Sequence, residues 1–371
     1  MAKKTNQDLR SQVGQLLIFG FDGTEFTPEL CNRLSMFQPG GIILFKRNII
    51  SAEQTHALLR ESQRTVQTPM FLCVDMEGGT VDRLKDVIAP VPSVALVAAA
   101  GEKKLFREHG QLLGEEVHSI GFNVDFAPVV DLGFEASKTV LGTRTVSAST
   151  EQTIVYAREL LRGLKDSHVL GCGKHFPGLG EANLDTHHEL PSIDKVWKKL
   201  WDEDLVPYRR LRAQMPFVMV AHAAYPQVTK DKTPASISKK WITNILRKKI
   251  GYRGLIVSDD LEMGGVLSAA PVEVAAVETV RAGADIFLIC HNDEFVNRSY
   301  EAVLREAERD RRFREIVQKA AKHILSVKKR SPELKRKMAP VPTEKVIDKL
   351  RRKNWLFTEE VRLATNRRMA M

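Results

Sequence analysis

The densest group of potentially reactive side chains lies in KHFPGLGEANLDTHH, residues 174–188. Metal binding would use Asp185, His187 and His188, but the HxH and HExxH spacings of common zinc sites are absent. A phosphate cradle would use the glycines, yet the segment has neither GxxxxGK[ST] nor a GxGxxG run that leads into a helix. Proton transfer is a third possibility, because Asp185 can orient the His187 imidazole if the loop turns. An unreactive polar loop is the fourth.

A second candidate is RGLIVSDDLEMGG, residues 253–265, where an apolar run ends in Asp259 and Asp260. Successive side chains of a strand point to opposite faces, so we expect only one of the two to face a site at the strand end. That carboxylate could act as a nucleophile, a base, a metal ligand or a clamp for a cation. Nearby basic side chains would keep it ionised, or could instead donate hydrogen bonds to substrate oxygens.

The elements that must position these residues are eight short apolar runs separated by helical patterns. The runs are residues 15–21, 40–46, 70–76, 121–129, 169–176, 217–225, 255–261 and 284–290. Near-continuous apolar strands are typical of a parallel sheet covered on both sides, and parallel neighbours need a crossover of a dozen or more residues. The pattern predicts an α/β fold, a (β/α)8 TIM-type barrel over about residues 10–328, with a doubly wound sheet as the alternative.

Helix boundaries support the same alternation of strands and helices. Ser51 and Ser149 each precede a glutamine by three positions, which predicts a capping box at two helix starts. Pro271 is expected in the first turn of a later helix, and Gly283 just past its end.

Ionisable residues follow six of the eight apolar runs. They are Asp75 and Glu77, Asp125, Lys174 and His175, His222, Asp259 and Asp260, and His291. The carboxyl ends of barrel strands share one face, on which active sites are built. The sequence therefore predicts an active site there.

The formal charge of +10 is concentrated at the end of the chain. Residues 328–371 contain fourteen lysines and arginines against five acidic residues, in the clusters KKR, KRK and RRK. Such clusters could contact nucleic acid or another polyanion, but without interleaved aromatic residues we favour a solvated, partly helical extension. We predict two segments, a single catalytic barrel at 1–330 and a basic extension at 331–371, while the oligomeric state stays open.

Other features of the sequence bear on location. No stretch approaches eighteen apolar residues and the first residues lack an apolar signal-peptide core, so we expect no membrane span and a cytoplasmic protein. Four cysteines without CxxC spacing predict reduced thiols, buried where they fall in apolar runs: Cys31, Cys73, Cys172 and Cys290.

Four segments resemble a known family. KHFPGLGEANLDTH is similar to the signature of bacterial β-N-acetylglucosaminidases of glycoside hydrolase family 3, and VDMEGGTVDR, GFNVDFAPVVDL and GLIVSDDLEM resemble other strand ends of that family. The resemblance covers about residues 10–328. Three positions depart from it: Thr80 stands where many members have arginine, Leu179 where histidine is commoner and Glu262 where serine is frequent.

The resemblance implies a retaining exo-β-N-acetylglucosaminidase that acts on muropeptide fragments in cell-wall recycling. It implies Asp259 as nucleophile, His187 as general acid/base and Asp185 as the partner of His187, without metal or cofactor. It implies sugar contacts by Asp75, Arg83, Arg144, Lys174 and His175. Three alternatives stay open: a phosphorylase that uses phosphate instead of water, a β-glucosidase of the same family, and a non-catalytic barrel that binds sugar or polyanion.

Overall fold

The structure, a computed structural model, describes residues 2–182, 184 and 189–370, with side chains from residue 8 onward. Eight parallel strands close into a barrel in the order β1-β10-β9-β8-β7-β6-β3-β2. They are β1 (Leu17–Phe19), β2 (Gly41–Ile43), β3 (Phe71–Val74), β6 (Val124–Asp125), β7 (Leu170–Phe176), β8 (Phe217–Val220), β9 (Leu255–Asp260) and β10 (Ile286–Ile289). Each lies within one of the eight apolar runs, and nearly all their side chains are buried. The predicted barrel is confirmed.

Helices cover the outside of this barrel and connect its strands. They are α1 (Ala2–Gln15), α2 (Pro28–Phe37), α3 (Ala52–Thr65), α4 (Val94–Ala100), α5 (Lys103–Ile120), α6 (Thr150–Asp166), α7 (Trp197–Asp202), α8 (Leu205–Leu211), α9 (Pro226–Thr229), α10 (Gly264–Leu267), α11 (Val272–Ala282), α12 (Asp293–Arg309), α13 (Arg311–Arg330), α14 (Pro332–Lys335) and α15 (Glu344–Met369). A π-helix, Lys240–Lys249, precedes β9. An antiparallel hairpin of β4 (Met76–Gly78) and β5 (Val81–Asp82) follows β3 at the carboxyl end of the barrel.

The two predicted capping boxes form only in part. The hydroxyl of Ser51 accepts the Gln54 N–H at 3.2 Å, and that of Ser149 accepts the Gln152 N–H at 3.4 Å. In a complete capping box each glutamine side chain would accept the backbone N–H of the capping serine. Instead, the Gln54 side chain accepts the Ile50 N–H at 3.0 Å, and the Gln152 side chain accepts the hydroxyl of Ser147. The first half of the prediction is confirmed and the second half is wrong, because the glutamines reach past the cap residue.

The later helix also begins one residue after its predicted start. Pro271 is the cap residue before α11 and lies outside its first turn. Gly283 ends α11 with a φ of 103°, as predicted.

One member of the basic KKR cluster is buried at the base of the barrel. Lys328 donates from Nζ to Gln15 Oε1 at 2.9 Å and to the Gly40 carbonyl at 2.8 Å. Its ammonium also lies 4.8 Å from the centre of the Phe71 ring. Burial lowers the pKa of Lys328 to about 7. The expectation that this cluster is a solvated basic surface is therefore wrong at Lys328.

The rest of the basic extension includes the long helix α15, which packs on α4 and α5. Three ion pairs join it to these helices or the turn between them: Lys353–Glu115, Glu360–Lys104 and Arg367–Glu102. Two basic side chains of α15, Lys353 and Arg367, are thus paired with acidic residues outside the helix. The division at residue 330 stays a prediction, although the extension lies against the barrel helices.

Two findings concern thiols and membranes. Cys73, Cys172 and Cys290 are buried, Cys31 is partly exposed, and none forms a disulfide. No helix among the described residues is long and apolar enough to cross a bilayer.

Candidate active site

Six of the eight predicted site residues are described, and all six line one pocket at the carboxyl ends of the strands. They are Asp75 after β3, Arg83 after β5, Arg144 in the segment between β6 and α6, Lys174 and His175 both within β7, and Asp259 within β9. The pocket has a volume of about 170 Å³ and also includes apolar walls from Phe45, Phe126 and Met219. Asp75 and Asp259, which are 184 positions apart in sequence, thus share one cavity.

Buried ion pairs organise one side of this pocket around Glu77. Arg144 donates from Nε and Nη2 to the two oxygens of Glu77 at 2.8 and 2.9 Å. Lys174 Nζ lies 2.6 Å from Glu77 Oε1 and 2.8 Å from Asp75 Oδ1. Burial alone would raise the pKa of Glu77, but Arg144 and Lys174 hold it well below its usual range. The same carboxylates outweigh burial at Lys174 and raise its pKa. Glu77, Arg144 and Lys174 are therefore charged at neutral pH.

Asp131 fixes the orientation of His175. Its Oδ2 lies 2.7 Å from His175 Nδ1 and accepts the His175 backbone N–H at 3.1 Å. Its Oδ1 accepts the N–H of Leu179 at 2.8 Å. One buried carboxylate thus holds both the imidazole and the loop that follows β7.

Asp259 is half-buried near the end of β9. Burial would raise the pKa of Asp259, but its interactions with His175, His222, the Asp260 N–H and Lys174 outweigh burial and lower it. Asp259 Oδ1 accepts that N–H at 2.9 Å. Asp259 is therefore an ionised carboxylate facing the pocket.

The neighbouring carboxylates of Asp260 and Glu262 accept hydrogen bonds from backbone N–H groups. Asp260 Oδ1 accepts the N–H groups of Glu262 and Cys290, at 3.1 and 3.2 Å. Glu262 accepts the N–H groups of Cys290 and Asn292, both at 2.7 Å. Burial, with the nearby charge of Glu262, raises the pKa of Asp260 well above its usual range. The expectation that only one of the two aspartates faces the site is wrong, because both Asp259 and Asp260 line the pocket, although Asp260 also binds backbone N–H groups. Glu262 supports the turn that leads into α12.

Arg83 is a further basic residue that lines the pocket. Its buried Nε has no hydrogen-bond partner among the described residues. Its guanidinium lies 5.7 Å from the centre of the Phe45 ring. The centre of the His291 ring lies 5.2 Å from the centre of the same Phe45 ring. Arg83 therefore has donor capacity that a ligand in the pocket could use.

Three polar residues at this face received no role from the sequence: Glu77 and His222 were expected at the active-site face without a stated role, and Asp131 was not singled out. Glu77 follows an apolar run, but nothing in the local sequence predicts that it pairs with both Arg144 and Lys174. Asp131 lies in VVDL, in the irregular segment after β6, and no spacing rule connects it to His175. His222 does follow β8, and it contacts the Asp260 carbonyl from Nε2 at 2.8 Å and the Ser236 hydroxyl from Nδ1 at 2.7 Å.

The departures from the family signature have distinct surroundings. Thr80 is exposed at the turn of the β4–β5 hairpin, whereas Leu179 is buried and lines the pocket. Asp185 and His187, together with His188, lie outside the described residues. Among the residues described, no group of three or more His, Cys, Asp or Glu side chains could hold a metal ion.

A closed parallel barrel with a charged pocket at its carboxyl face, holding an ionised aspartate beside fixed cations, defines a barrel enzyme for polar substrates. Residues 8–327 match the family described as Glycosyl hydrolase family 3 N terminal domain. The chain belongs to glycosyl hydrolase family 3, and the predicted resemblance is confirmed.

Relatives and solved structures are similar over most of the chain. The Beta-hexosaminidase of Alkalilimnicola ehrlichii is 36% identical over 287 residues, which cover 76% of this chain and 82% of that protein. The Beta-hexosaminidase of Chromobacterium violaceum is 38% identical over 270 residues, covering 71% and 74%. A glycoside hydrolase family 3 β-N-acetylglucosaminidase from Paenibacillus sp. str. FPU-7 superimposes with a TM-score of 0.85 at 31% identity, covering 93% of this chain and 68% of that one.

Proposed function

We propose that the protein is a retaining exo-β-N-acetylglucosaminidase that releases terminal β-linked N-acetylglucosamine from muropeptide fragments in the cytoplasm. The observation that carries the proposal is the ionised Asp259 carboxylate in a pocket shared with Asp75, Arg83, Lys174 and their neighbours. The names of the two similar hexosaminidases and of the similar Paenibacillus enzyme support the choice of sugar.

The reaction would proceed by two displacements. Asp259 attacks the anomeric carbon while the bond to the leaving oxygen breaks, and His187 gives its proton to that oxygen. Water then attacks the same carbon, His187 takes a proton from the water, and the aspartyl ester bond breaks. Asp185 would orient the imidazole and stabilise its charged form. Two inversions at one carbon retain the anomeric configuration.

The remaining pocket groups suit recognition of a neutral, hydroxyl-rich ring. Asp75 can accept hydrogen bonds from hydroxyls, whereas Lys174, His175, Arg83 and Arg144 can donate to hydroxyl or amide oxygens. The ion pairs of Lys174 with Asp75 and of Arg144 with Glu77 restrict the motion of these side chains before substrate arrives, which lowers the entropy cost of binding.

The test is azide rescue of two variants on an aryl β-N-acetylglucosaminide. We expect Asp259→Ala to lower kcat by at least about 10³-fold and azide to restore turnover with a glycosyl azide of inverted configuration. We expect His187→Ala to lower kcat by about 10²- to 10⁴-fold for poor leaving groups and less for good ones, with azide giving the retained product.

Two controls accompany these variants. His188→Ala, beside the proposed acid/base, and Asp231→Ala, an exposed aspartate, should keep nearly wild-type kcat. Wild-type turnover by Asp259→Ala and His187→Ala would overturn the assignment. Rates and products that depend on added phosphate would instead identify the phosphorylase alternative.

A further inference from the structure

Helix α15, which lies beyond the family match, holds a loop next to the pocket. Arg351 donates from Nε to the Ile88 carbonyl and from Nη2 to the Val87 carbonyl, both at 3.2 Å. Asn354, almost fully buried, donates from Nδ2 to the Ala89 carbonyl at 3.1 Å. Two side chains of one helix thus bind three consecutive backbone carbonyls. Residues 84–92 follow the β4–β5 hairpin and are not its turn; we call this segment the hairpin loop.

Both ends of the hairpin loop are bonded to the β4–β5 hairpin. The buried carboxylate of Asp82 accepts the N–H groups of Leu84 at 3.1 Å and Val91 at 2.8 Å. The Val91 carbonyl accepts the Gly79 N–H at 2.8 Å. A displacement of the hairpin loop must therefore either break these bonds or move the hairpin.

Helix α15 also supports the β4–β5 hairpin through His109, a residue of α5. Phe357 stacks on His109, with ring centres 5.7 Å apart and planes at 17°. The His109 ring is packed so closely under the hairpin that a Cβ added to Gly78 would lie 3.2 Å from its Nε2. Burial lowers the pKa of His109 to about 3, so the ring packs as a neutral group.

The hairpin in turn carries pocket residues. Glu77, which binds Arg144 and Lys174, lies in β4, and Arg83 immediately follows β5. Both line the pocket. We propose that α15 is a positioning element of the active site, in which Arg351 and Asn354 hold the hairpin loop and thereby fix Glu77 and Arg83 for substrate binding. The kinetic part of this inference rests on the proposed function.

The kinetic test compares Arg351→Ala with matched variants on the same helix. Arg351→Ala should raise KM for an aryl β-N-acetylglucosaminide about ten-fold while kcat changes less than about three-fold, because ground-state contacts are displaced. Arg352→Ala is the control, since this exposed neighbour has no hydrogen bond or ion pair to the described residues. Asp348→Ala removes one ion pair of Arg351 within α15 but keeps the carbonyl contacts, and should also leave KM unchanged.

A second readout does not depend on catalysis. Amide hydrogen exchange at Gly79, Leu84 and Val91 should quicken in Arg351→Ala and stay at the wild-type rate in Arg352→Ala. If the wild-type protein did not hydrolyse the glycoside, the proposed function would fail while this exchange test still applied. Unchanged exchange over residues 76–92 in Arg351→Ala, or an equal rise of KM in Arg352→Ala, would overturn the positioning role.

Discussion

At the scale of single residues, the pocket depends on carboxylates that bind cations inside the protein. Glu77 is 1% exposed, and its carboxylate forms ion pairs with both Arg144 and Lys174. Removing one partner from such a group leaves uncompensated buried charge, which costs far more than losing an exposed ion pair. Glu77 therefore stabilises the arrangement of the basic side chains in addition to the fold.

We predict that Glu77→Gln lowers the free energy of unfolding by about 3 to 5 kcal/mol, because Arg144 loses its carboxylate partner and the buried Lys174 keeps only Asp75. The same substitution should raise KM for the glycoside. Urea denaturation and steady-state kinetics provide the two measurements. Glu135→Gln removes an exposed ion pair to Lys138 and should change neither. Equal stability of the two variants would contradict the role of the buried network.

The sequence predicted the members of the pocket better than their contacts. Asp75, Lys174, His175 and Asp259 are recognisable because each ends an apolar run. The bond from Asp131 to His175 joins segments 44 residues apart, and it depends on the path of an irregular segment that has no periodic pattern. Residue type and spacing do not encode such a path.

At the scale of elements, α5 and α6 approach each other through glycines. A Cβ at Gly163 would lie 2.3 Å from the Arg107 carbonyl oxygen, and one at Gly110 would lie 2.2 Å from the Leu160 carbonyl oxygen. These distances are too short for any side chain, so the close contact of the two helices requires glycine at both positions. Helix α5 also carries His109, on which the hairpin rests.

We predict that Gly163→Ala destabilises the protein by about 1 to 3 kcal/mol, since the helices must separate to admit a methyl group. Thermal unfolding followed by circular dichroism measures the effect. The control is Lys165→Ala on the exposed face of α6, which should unfold at the wild-type temperature. A Gly163→Ala variant as stable as the control would show that the contact is looser than described.

Element boundaries were predicted where local chemistry decides them. Ser51 and Ser149 do cap their helices, because the hydroxyl bond spans only three residues. The glutamine partners bind elsewhere, since longer side chains have several acceptors and donors within reach. Charge counting over residues 328–371 likewise could not show that one lysine enters the core.

At the scale of the whole molecule, Lys328 joins the two ends of the barrel domain. It projects from α13 and donates to Gln15, the last residue of α1, and to the carbonyl of Gly40 just before β2. Both acceptors are neutral, so burial of the ammonium is not offset by a carboxylate among its bonded partners. Burial consequently makes the Lys328 ammonium easier to deprotonate in the folded state than in the unfolded chain.

This lysine should make global stability depend on pH. Its folded pKa is about 7, whereas an unfolded chain has the ordinary lysine value of about 10.4. Between these values the unfolded chain binds more protons, so the contribution of Lys328 to stability rises with pH, by up to about 1.4 kcal/mol per unit. Below about pH 7 both states are protonated and the cost of the buried charge is fully present.

We predict that the gain in unfolding free energy from pH 7 to pH 9 is smaller in Lys328→Met than in the wild type. Urea denaturation at the two pH values measures it. Lys329→Met, at the exposed neighbouring position, should keep the wild-type dependence. The same gain in Lys328→Met and the wild type would contradict a depressed pKa at this site.

Covalent trapping tests the proposed nucleophile most directly. A fluorinated N-acetylglucosaminyl substrate that forms the glycosyl-enzyme quickly and hydrolyses slowly should add the mass of one sugar to the intact protein. Peptide mapping should then find that sugar on Asp259. A label on Asp75, Asp260 or another residue, or full turnover by a chain that cannot be labelled at Asp259, would contradict the proposed mechanism.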